Sequence, residues 1–313
     1  MSRPPPTSIW SRARTPIARL ARAARSLRRR ATTWPRVQPV ALECGVTLLA
    51  DRHDQAWDRL ARQGHHERDA EAFLTAFLED GDVAVDVGAH VGMLCALMAS
   101  RVGPSGQVLA FEPDPRNRAA LRRSIARHGH GRRVEVHDTA LSDSDGAATL
   151  LRPDGAWGAF LAGPDGRADA VRGFFHSSVV TTHAIETARL DTFLRSHRVD
   201  RIDLIKVDVD GPEVAILRGA AATLRAHQPA VIVEASAFYS DHGVRPADVL
   251  ELLDAHGYTV WAARRGDRGY QHLSAGQGLE LTGRADAVNL YACPPGRFRE
   301  RFVRAGLVAD RSA

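Results

Sequence analysis

Lysine and cysteine are both scarce in this sequence. Its 313 residues include 41 Arg but a single Lys, Lys206, so guanidinium groups carry almost all of the positive charge. The three cysteines are odd in number and far apart, which argues against a disulfide framework or a zinc site and predicts reduced core residues in a cytoplasmic protein. No apolar run approaches the roughly 18 residues of a membrane-spanning helix. An apolar content of 44% supplies a core for one domain, or one and a half.

Acidic residues are missing from the first forty positions, which contain ten Arg and no Asp, Glu or Lys. Because the whole chain has a net charge of +5, residues 41–313 carry −5, and this balance argues against a nucleic-acid-binding face on the folded part. Apolar residues from Ile17 to Leu27 fall on one helical face. Two interpretations stay open: a disordered Arg-rich extension, or an amphipathic helix in weak contact with an anionic membrane surface or an acidic partner.

The most informative segment begins at residue 82. Alternate valines over residues 83–87 predict a short buried strand, and Gly88 and Gly92 allow a sharp turn into an apolar helix pattern. A second apolar strand then ends in Glu112. Strand, glycine turn, helix, strand and acid predict one nucleotide-binding half of a doubly wound sheet, with the acid placed to bind a ribose diol.

Two familiar phosphate-binding patterns are absent from this turn. The glycine spacing is G-x-x-x-G, which matches neither the dinucleotide motif nor the phosphate-binding loop. No Arg or Lys lies between Gly81 and Ser100 to neutralise a phosphate, whereas Asp86 stands at the end of the strand. An acidic turn without a base suits S-adenosylmethionine, which is cationic and has no phosphate. The alternative is an ordinary strand-to-helix turn followed by a chance acid.

Four blocks of the sequence resemble the FkbM-type methyltransferases, a branch of the class I methyltransferases. They lie at residues 86–92, 110–115, 188–194 and 204–213, and the last runs on to 217–220. The resemblance implies an α/β fold with a doubly wound, mostly parallel, seven-stranded Rossmann-like sheet whose last strand is antiparallel. It also implies S-adenosylmethionine-dependent O-methylation of a hydroxyl on a small molecule or a glycan. Two residues depart from the family pattern, because His90 replaces the usual Asn and Asp210 replaces the usual Glu.

The resemblance also assigns parts of the cofactor to residues of this chain. Glu112 is expected to bind the ribose. The methionine end is expected to lie over the turn, and the adenine near the segment after the third strand. The expected cofactor-binding residues are therefore Asp86, Gly88, Ala89, His90, Gly92, Glu112, Asp138, Ala140 and Leu141.

Lys206 lies inside an apolar strand, which is an unusual place for the only lysine of an Arg-rich chain. It either orients or deprotonates the hydroxyl that is methylated, or merely forms an ion pair with Asp208 or Glu234. Asp208 and Asp210 are two residues apart and share one face of the strand. We predict Lys206 and Asp208 as catalytic residues and Asp210 and Glu234 as substrate contacts, without a metal ion.

The predicted organisation has four parts. These are a basic extension (1–40), N-terminal cap elements (41–80), the catalytic domain (81–295) and a C-terminal tail (296–313). The glycine-rich residues 155–173 predict a mobile loop, or lid, beside the site. Two other functional classes remain open: an oxidoreductase with a nucleotide cofactor, and a non-catalytic scaffold of the same fold.

Overall fold

The structure is a computed structural model that describes residues 37–51, 63–65, 67–153, 158–162, 180–236, 244–263, 269–274 and 287–308. Most of the basic extension and most of the predicted loop at 155–173 lie outside these ranges.

The described chain forms strands β1–β14 and helices α1–α8. The strands are, in order, Val37–Ala41, Thr47–Asp51, Val83–Val87, Gln107–Phe111, Val134–His137, Ala140–Leu141, Gly146–Pro153, Phe160–Leu161, Val180–Ala188, Leu204–Val207, Ala230–Ser236, Thr259–Ala263, Tyr270–Leu273 and Ala287–Cys293. The helices are, in order, Arg68–Phe77, Met93–Arg101, Pro115–Arg127, Leu190–His197, Glu213–Gly219, Ala221–Ala226, Pro246–Ala255 and Arg299–Arg304. None of these described helices is long and apolar enough to cross a membrane.

The central sheet has the strand order β13-β12-β14-β11-β10-β3-β4-β5. Five neighbouring strands are parallel, namely β11, β10, β3, β4 and β5. Strand β14 runs antiparallel to β11, as predicted for the last strand. The described sheet has eight strands where the sequence predicted seven, because β13 pairs with β12 and occupies the sheet edge. An edge strand exposes unpaired backbone groups, and a short added strand satisfies those of β12.

Helices cover both faces of this sheet, which confirms the predicted doubly wound α/β fold. One buried cluster joins α1, α2, α3 and α8 to one face, and a second joins α4 to α7 to the other. Adjacent residues of β3 point to opposite sides: Ala84 belongs to the first cluster, and Val85 and Val87 to the second. Parallel strands buried on both faces read as continuous apolar runs, which explains why they were recognisable in the sequence.

As far as the structure describes it, the segment after residue 295 packs into the first of these two buried clusters. Phe302 of α8 is fully buried, and its ring lies 5.4 Å from that of Phe73 and 5.6 Å from that of Phe77. Arg301 also binds the buried carboxylate of Asp82. The predicted tail therefore contributes a packed helix.

A separate four-stranded sheet, ordered β6-β9-β7-β8, is inserted between β5 and α4. Its strand β7 lies antiparallel to β9 and to β8. The inner end of β7 is buried, and Leu150 and Leu161 of this inserted sheet line the cavity described below. The insertion therefore forms one wall of the candidate site.

Candidate active site

A cavity opens at the carboxyl ends of the parallel strands. It lies at the end of β3, whose neighbours in the sheet are β4 on one side and β10 on the other. The chain continues from β3 to β4 on one side, whereas β10, on the other side, comes much later in the sequence. Such a switch point is where ligands bind in open α/β sheets. The lining brings together residues from three of the four predicted blocks, among them Asp86, Glu112 and Lys206, and it also includes Glu234.

Gly88 joins the turn after β3 to both neighbouring strands. A Cβ atom at this position would lie 2.0 Å from the carbonyl oxygen of Asp208, and its φ of +81° is in the left-handed region. The backbone N–H groups of Gly88 and Ala89 both donate to the carbonyl oxygen of Phe111, at 3.0 and 3.1 Å. Gly88 is thus required by the packing of the turn against β10 and β4, and it lies in the cavity lining as predicted.

The two departures from the family pattern both have a left-handed backbone. The φ of His90 is 52° and that of Asp210 is 59°. Asn, Asp and His are the non-glycine residues that occupy this region most readily, so both exchanges are compatible with the local conformation. His90 lines the cavity, and its backbone N–H donates to Oε2 of Glu112 at 2.8 Å.

Two of the expected cofactor-binding residues lie outside the cavity lining. The space where a Cβ of Gly92 would lie is occupied by Leu121, whose Cδ1 is 2.5 Å away, so Gly92 allows α2 to pack on α3. The carboxylate of Asp138 is 74% exposed and pairs with Arg118 at 3.8 Å. Its neighbours Thr139, Ala140 and Leu141 line the cavity instead.

Glu112 is 5% exposed, and both its oxygens accept backbone hydrogen bonds. Oε2 binds the N–H of His90, and Oε1 binds that of Asp114 at 2.8 Å. Burial raises the pKa of Glu112 to about 7, although these hydrogen bonds act in the opposite direction. Each oxygen keeps a second lone pair that is able to accept a hydrogen bond from a hydroxyl group. The carboxylate is therefore held in one orientation at the cavity wall.

The loop after Glu112 is fixed by a residue that sequence reasoning missed. Arg152, from β7 of the inserted sheet, is buried and donates to Oδ2 of Asp114 at 2.7 Å. Asp114 also caps α3 by accepting from the N–H groups of Arg116 and Asn117. No local pattern signals this contact, because the inserted strand meets the loop only through the tertiary fold.

Asp86 supplies a buried acceptor in the middle of the cavity. It is 2% exposed, and its Oδ2 has no hydrogen-bond partner among the described residues. Burial raises the pKa of Asp86 to about 6 in spite of the nearby Lys206. A buried acceptor without a partner is costly, and a cationic ligand would compensate it. This side chain and the base-free turn therefore fit the sulfonium and ammonium groups of S-adenosylmethionine.

A row of polar side chains crosses the sheet face covered by α1 and α2. Lys206 is the register partner of Asp86 on β3, and on its other side it pairs with Ile232, two residues before Glu234. Glu234 is in turn opposite Asn289 on β14. Residues that share a register position project to the same face of a sheet, so these four side chains form one polar row.

Lys206 is 3% exposed, and its Nζ lies 2.6 Å from Oδ2 of Asp208 and 3.9 Å from Oε2 of Glu67. Burial alone would lower the pKa of Lys206, but the surrounding carboxylates outweigh that effect and raise it above its ordinary value. Lys206 is therefore an ammonium group at neutral pH. This argues against the alternative in which it deprotonates the acceptor, and Glu67 joins the site although it lies outside the four sequence blocks.

Two further acids, Asp210 and Glu234, interact with this ammonium group, and a third, Glu213, fixes the loop beside it. Burial and the neighbouring Asp208 raise the pKa of Asp210 to about 7 and that of Glu234 well above its ordinary value. Glu213 accepts from the backbone N–H groups of Val209 and Gly211, so it fixes the loop after β10. Among the described residues, no group of His, Cys, Asp and Glu side chains has the arrangement of a metal site.

The profile of the "Methyltransferase FkbM domain" family matches residues 86–260, more than half of the chain. The protein belongs to the FkbM methyltransferase family. It is 34% identical over 205 residues to the "31-O-demethyl-FK506 methyltransferase FkbM" of Streptomyces tacrolimicus, a match that covers 59% of this chain and 75% of that protein. It is 28% identical over 159 residues to the "2-O-methyltransferase NoeI" of Sinorhizobium fredii, with 48% and 63% covered.

Two other matches cover different shares of the matched proteins. The chain is 27% identical over 240 residues to the "AMB antimetabolite synthetase AmbE" of Pseudomonas aeruginosa; 68% of this chain is covered, but it spans only 10% of that protein's length. Among solved structures, the methyltransferase FkbM of Methylobacillus flagellatus aligns with 18% identity and a TM-score of 0.43, covering 78% of this chain and 56% of that one.

Proposed function

We propose that this FkbM-family protein is an S-adenosylmethionine-dependent methyltransferase that methylates a hydroxyl oxygen of a small molecule or a glycan. The observation that supports this most directly is the order of groups along one cavity. Glu112, the proposed ribose ligand, lies at one end and Lys206 with Asp208 at the other. Between them lies Asp86, whose Oδ2 has no hydrogen-bond partner among the described residues. This order suits a methyl donor whose sugar, methionine and reacting ends are held separately.

Each part of the cavity has a separate role in this proposal. Glu112 accepts hydrogen bonds from the ribose diol, while the apolar wall of Ala140, Leu141 and Leu150 receives the adenine. Asp86 balances the positive charge of the methionine end. When bound, the cofactor supplies a methyl group that is activated by its sulfonium centre. The residues of this chain then have to exclude water and align the acceptor oxygen with that methyl group.

At the reacting end, the ammonium group of Lys206 donates a hydrogen bond to the acceptor hydroxyl, and Asp208 keeps Lys206 in position. Asp210 and Glu234 line the same end and contact the acceptor. Because carboxylates outnumber the single ammonium group here, an acceptor with its own anionic group beside the reacting hydroxyl would be repelled. We therefore propose that the acceptor is neutral or cationic near the hydroxyl that is methylated.

Two other functions account for fewer of these observations. An oxidoreductase with a nucleotide cofactor needs groups that neutralise a pyrophosphate, and the turn between Gly81 and Ser100 has no Arg or Lys. A non-catalytic scaffold gives no reason for the buried Oδ2 of Asp86, which lines the cavity without a hydrogen-bond partner in the described part of the chain. Neither class accounts for the concentration of buried ionisable groups at the strand ends.

Titration calorimetry with S-adenosylmethionine and with NADH tests the proposal. We expect the wild-type protein to bind S-adenosylmethionine only. Glu112→Gln should weaken that binding roughly 10- to 100-fold, which corresponds to the loss of a hydrogen bond to a charged group. Glu135→Gln, an exposed glutamate on the adjacent strand, is the matched control and should bind normally. Tighter binding of NADH, or unchanged affinity in Glu112→Gln, would contradict the proposal.

Methyl transfer is tested with S-adenosylmethionine labelled in its methyl group and a panel of polyols, macrolactones and oligosaccharides. The expected product is a methyl ether of an acceptor with no carboxylate beside the reacting hydroxyl. Transfer to a nitrogen or carbon atom instead would leave the cofactor assignment standing and overturn the O-methylation.

A further inference from the structure

Glu67 lies outside the segment matched by the family profile, yet it lines the same cavity as Lys206. It directly precedes α1, which begins at Arg68, so it comes from the segment predicted as N-terminal cap elements (41–80). Its side chain is 14% exposed. No motif of the catalytic domain predicts this residue, and its position in the cavity wall depends wholly on how α1 packs against the sheet.

Glu67 is held at the cavity wall by a short chain of hydrogen bonds. Nδ2 of Asn289 donates to Oε2 of Glu67 at 3.3 Å and to Oδ2 of Asp69 at 3.1 Å. The same oxygen of Asp69 accepts the hydroxyl of Tyr291 at 2.8 Å. Asn289 and Tyr291 belong to the buried strand β14, so the carboxylate of Glu67 is attached to a rigid element.

The distance between Lys206 and Glu67 leaves room for a bridging atom. Nζ of Lys206 and Oε2 of Glu67 are 3.9 Å apart, which is too long for a direct hydrogen bond. An oxygen atom about 2.8 Å from each of them fits between them, at an angle close to 90°. A hydroxyl oxygen in that position accepts a hydrogen bond from Lys206, and its own proton faces Glu67.

Distance distinguishes Glu67 from the other acids at this end. Among the described residues, Asp208 and Glu67 are the acids within ion-pair distance of Nζ of Lys206. Asp208 is bonded directly to Nζ at 2.6 Å, which leaves no space for a hydroxyl group between them. Glu67 is therefore the acid that combines proximity to Lys206 with room for the acceptor.

We propose that Glu67 is the general base of the methyl transfer, an inference that rests on the proposed function. The acceptor hydroxyl is held between Lys206 and Glu67. Its oxygen forms a bond to the methyl carbon as the bond from that carbon to sulfur breaks, and the electron pair of the broken bond stays on sulfur. The hydroxyl proton passes to Oε2 of Glu67. The products are a methyl ether, a neutral thioether and a protonated Glu67.

The single lysine of the chain makes a direct test of this geometry simple. Incorporation of lysine labelled with ¹³C at Cε gives one side-chain signal, which belongs to Lys206. In the wild-type protein we expect this signal to show no deprotonation up to the ordinary lysine pKa of about 10.4. Glu67→Gln should shift the signal and move its titration to lower pH, because one of the carboxylates that stabilise the ammonium group is lost.

The matched control is Glu135→Gln, which makes the same exchange at an exposed glutamate outside the cavity. This variant should leave the Lys206 signal and turnover close to wild type. In turnover, Glu67→Gln should lose about 10²- to 10⁴-fold in kcat, as expected for a general base, with little change in the affinity for S-adenosylmethionine. Glu67→Asp should restore part of the rate.

The outcomes separate this proposal from the function on which it rests. If the wild-type protein does not bind S-adenosylmethionine, the proposed function fails, and the inference fails with it. If the wild type methylates an acceptor and Glu67→Gln turns over within about threefold of it, only the base assignment is wrong. A Lys206 signal that is identical in Glu67→Gln and wild type overturns the geometry, whether or not an acceptor has been found.

Discussion

Replacing Gly88 by Ala tests whether the turn after β3 is set by its contact with β10. At φ +81°, an alanine bears the cost of a left-handed backbone, about 1–2 kcal/mol. Its Cβ would also lie 2.0 Å from the carbonyl oxygen of Asp208 and 2.9 Å from Val209. The first neighbour is backbone, so it cannot rotate away, and relief requires that the turn and the strand end move apart.

The size of the effect follows from adding these two costs. Overpacking in a close-packed region costs roughly 1–3 kcal/mol, so Gly88→Ala should lower the free energy of unfolding by about 2–5 kcal/mol in total. Gly129→Ala is the matched control, because Gly129 has a φ of +68° and no described atom lies within 4 Å of where its Cβ would be. That control should show the backbone cost alone, about 1–2 kcal/mol.

Urea unfolding followed by circular dichroism measures both variants against wild type. Displacement of Asp208 would also disturb its bond to Lys206, so Gly88→Ala should bind S-adenosylmethionine more weakly even where it is folded. The reasoning is wrong if Gly88→Ala is no less stable than Gly129→Ala, because the overlap with the Asp208 carbonyl would then cost nothing.

Three further predictions follow from other parts of the structure. Arg152→Met should destabilise the fold by about 3–5 kcal/mol in urea unfolding, because it leaves the carboxylate of Asp114 buried without its partner; a loss below about 1 kcal/mol would refute this. Asp210→Asn should become more stable relative to wild type as the pH rises from about 5 to 8. Burial raises the pKa of Asp210 to about 7, so the folded wild type has to give up a proton that it binds more tightly than the unfolded chain does. An equal pH dependence of the free energy of unfolding in the two proteins would contradict this prediction. Phe302→Ala should cost about 3–5 kcal/mol by thermal or chemical unfolding if the described part of the C-terminal segment belongs to the core, and near-wild-type stability would show that it does not.

Local patterns in the sequence alone determined the nucleotide-binding half of the sheet. Buried parallel strands need continuous apolar runs, and a strand-to-helix turn in a left-handed conformation needs glycine, so β3, β4 and the turn at Gly88 were predicted with nearly correct bounds. The carboxylate that follows β4 was recognisable because it comes directly after a predicted parallel strand, and the carboxyl ends of parallel strands meet at one edge of the sheet. The only lysine of the chain also indicated the strand end at Lys206.

The tertiary structure alone decided which partners these residues have and how they are charged. Arg152 and Glu67 come from an inserted sheet and an N-terminal segment whose docking has no local signature. The charge of Lys206 depends on burial, which opposes it, and on carboxylates from other segments, which outweigh burial. Short-range patterns determine backbone conformation, whereas electrostatic environment arises from distant segments that meet only in the folded protein.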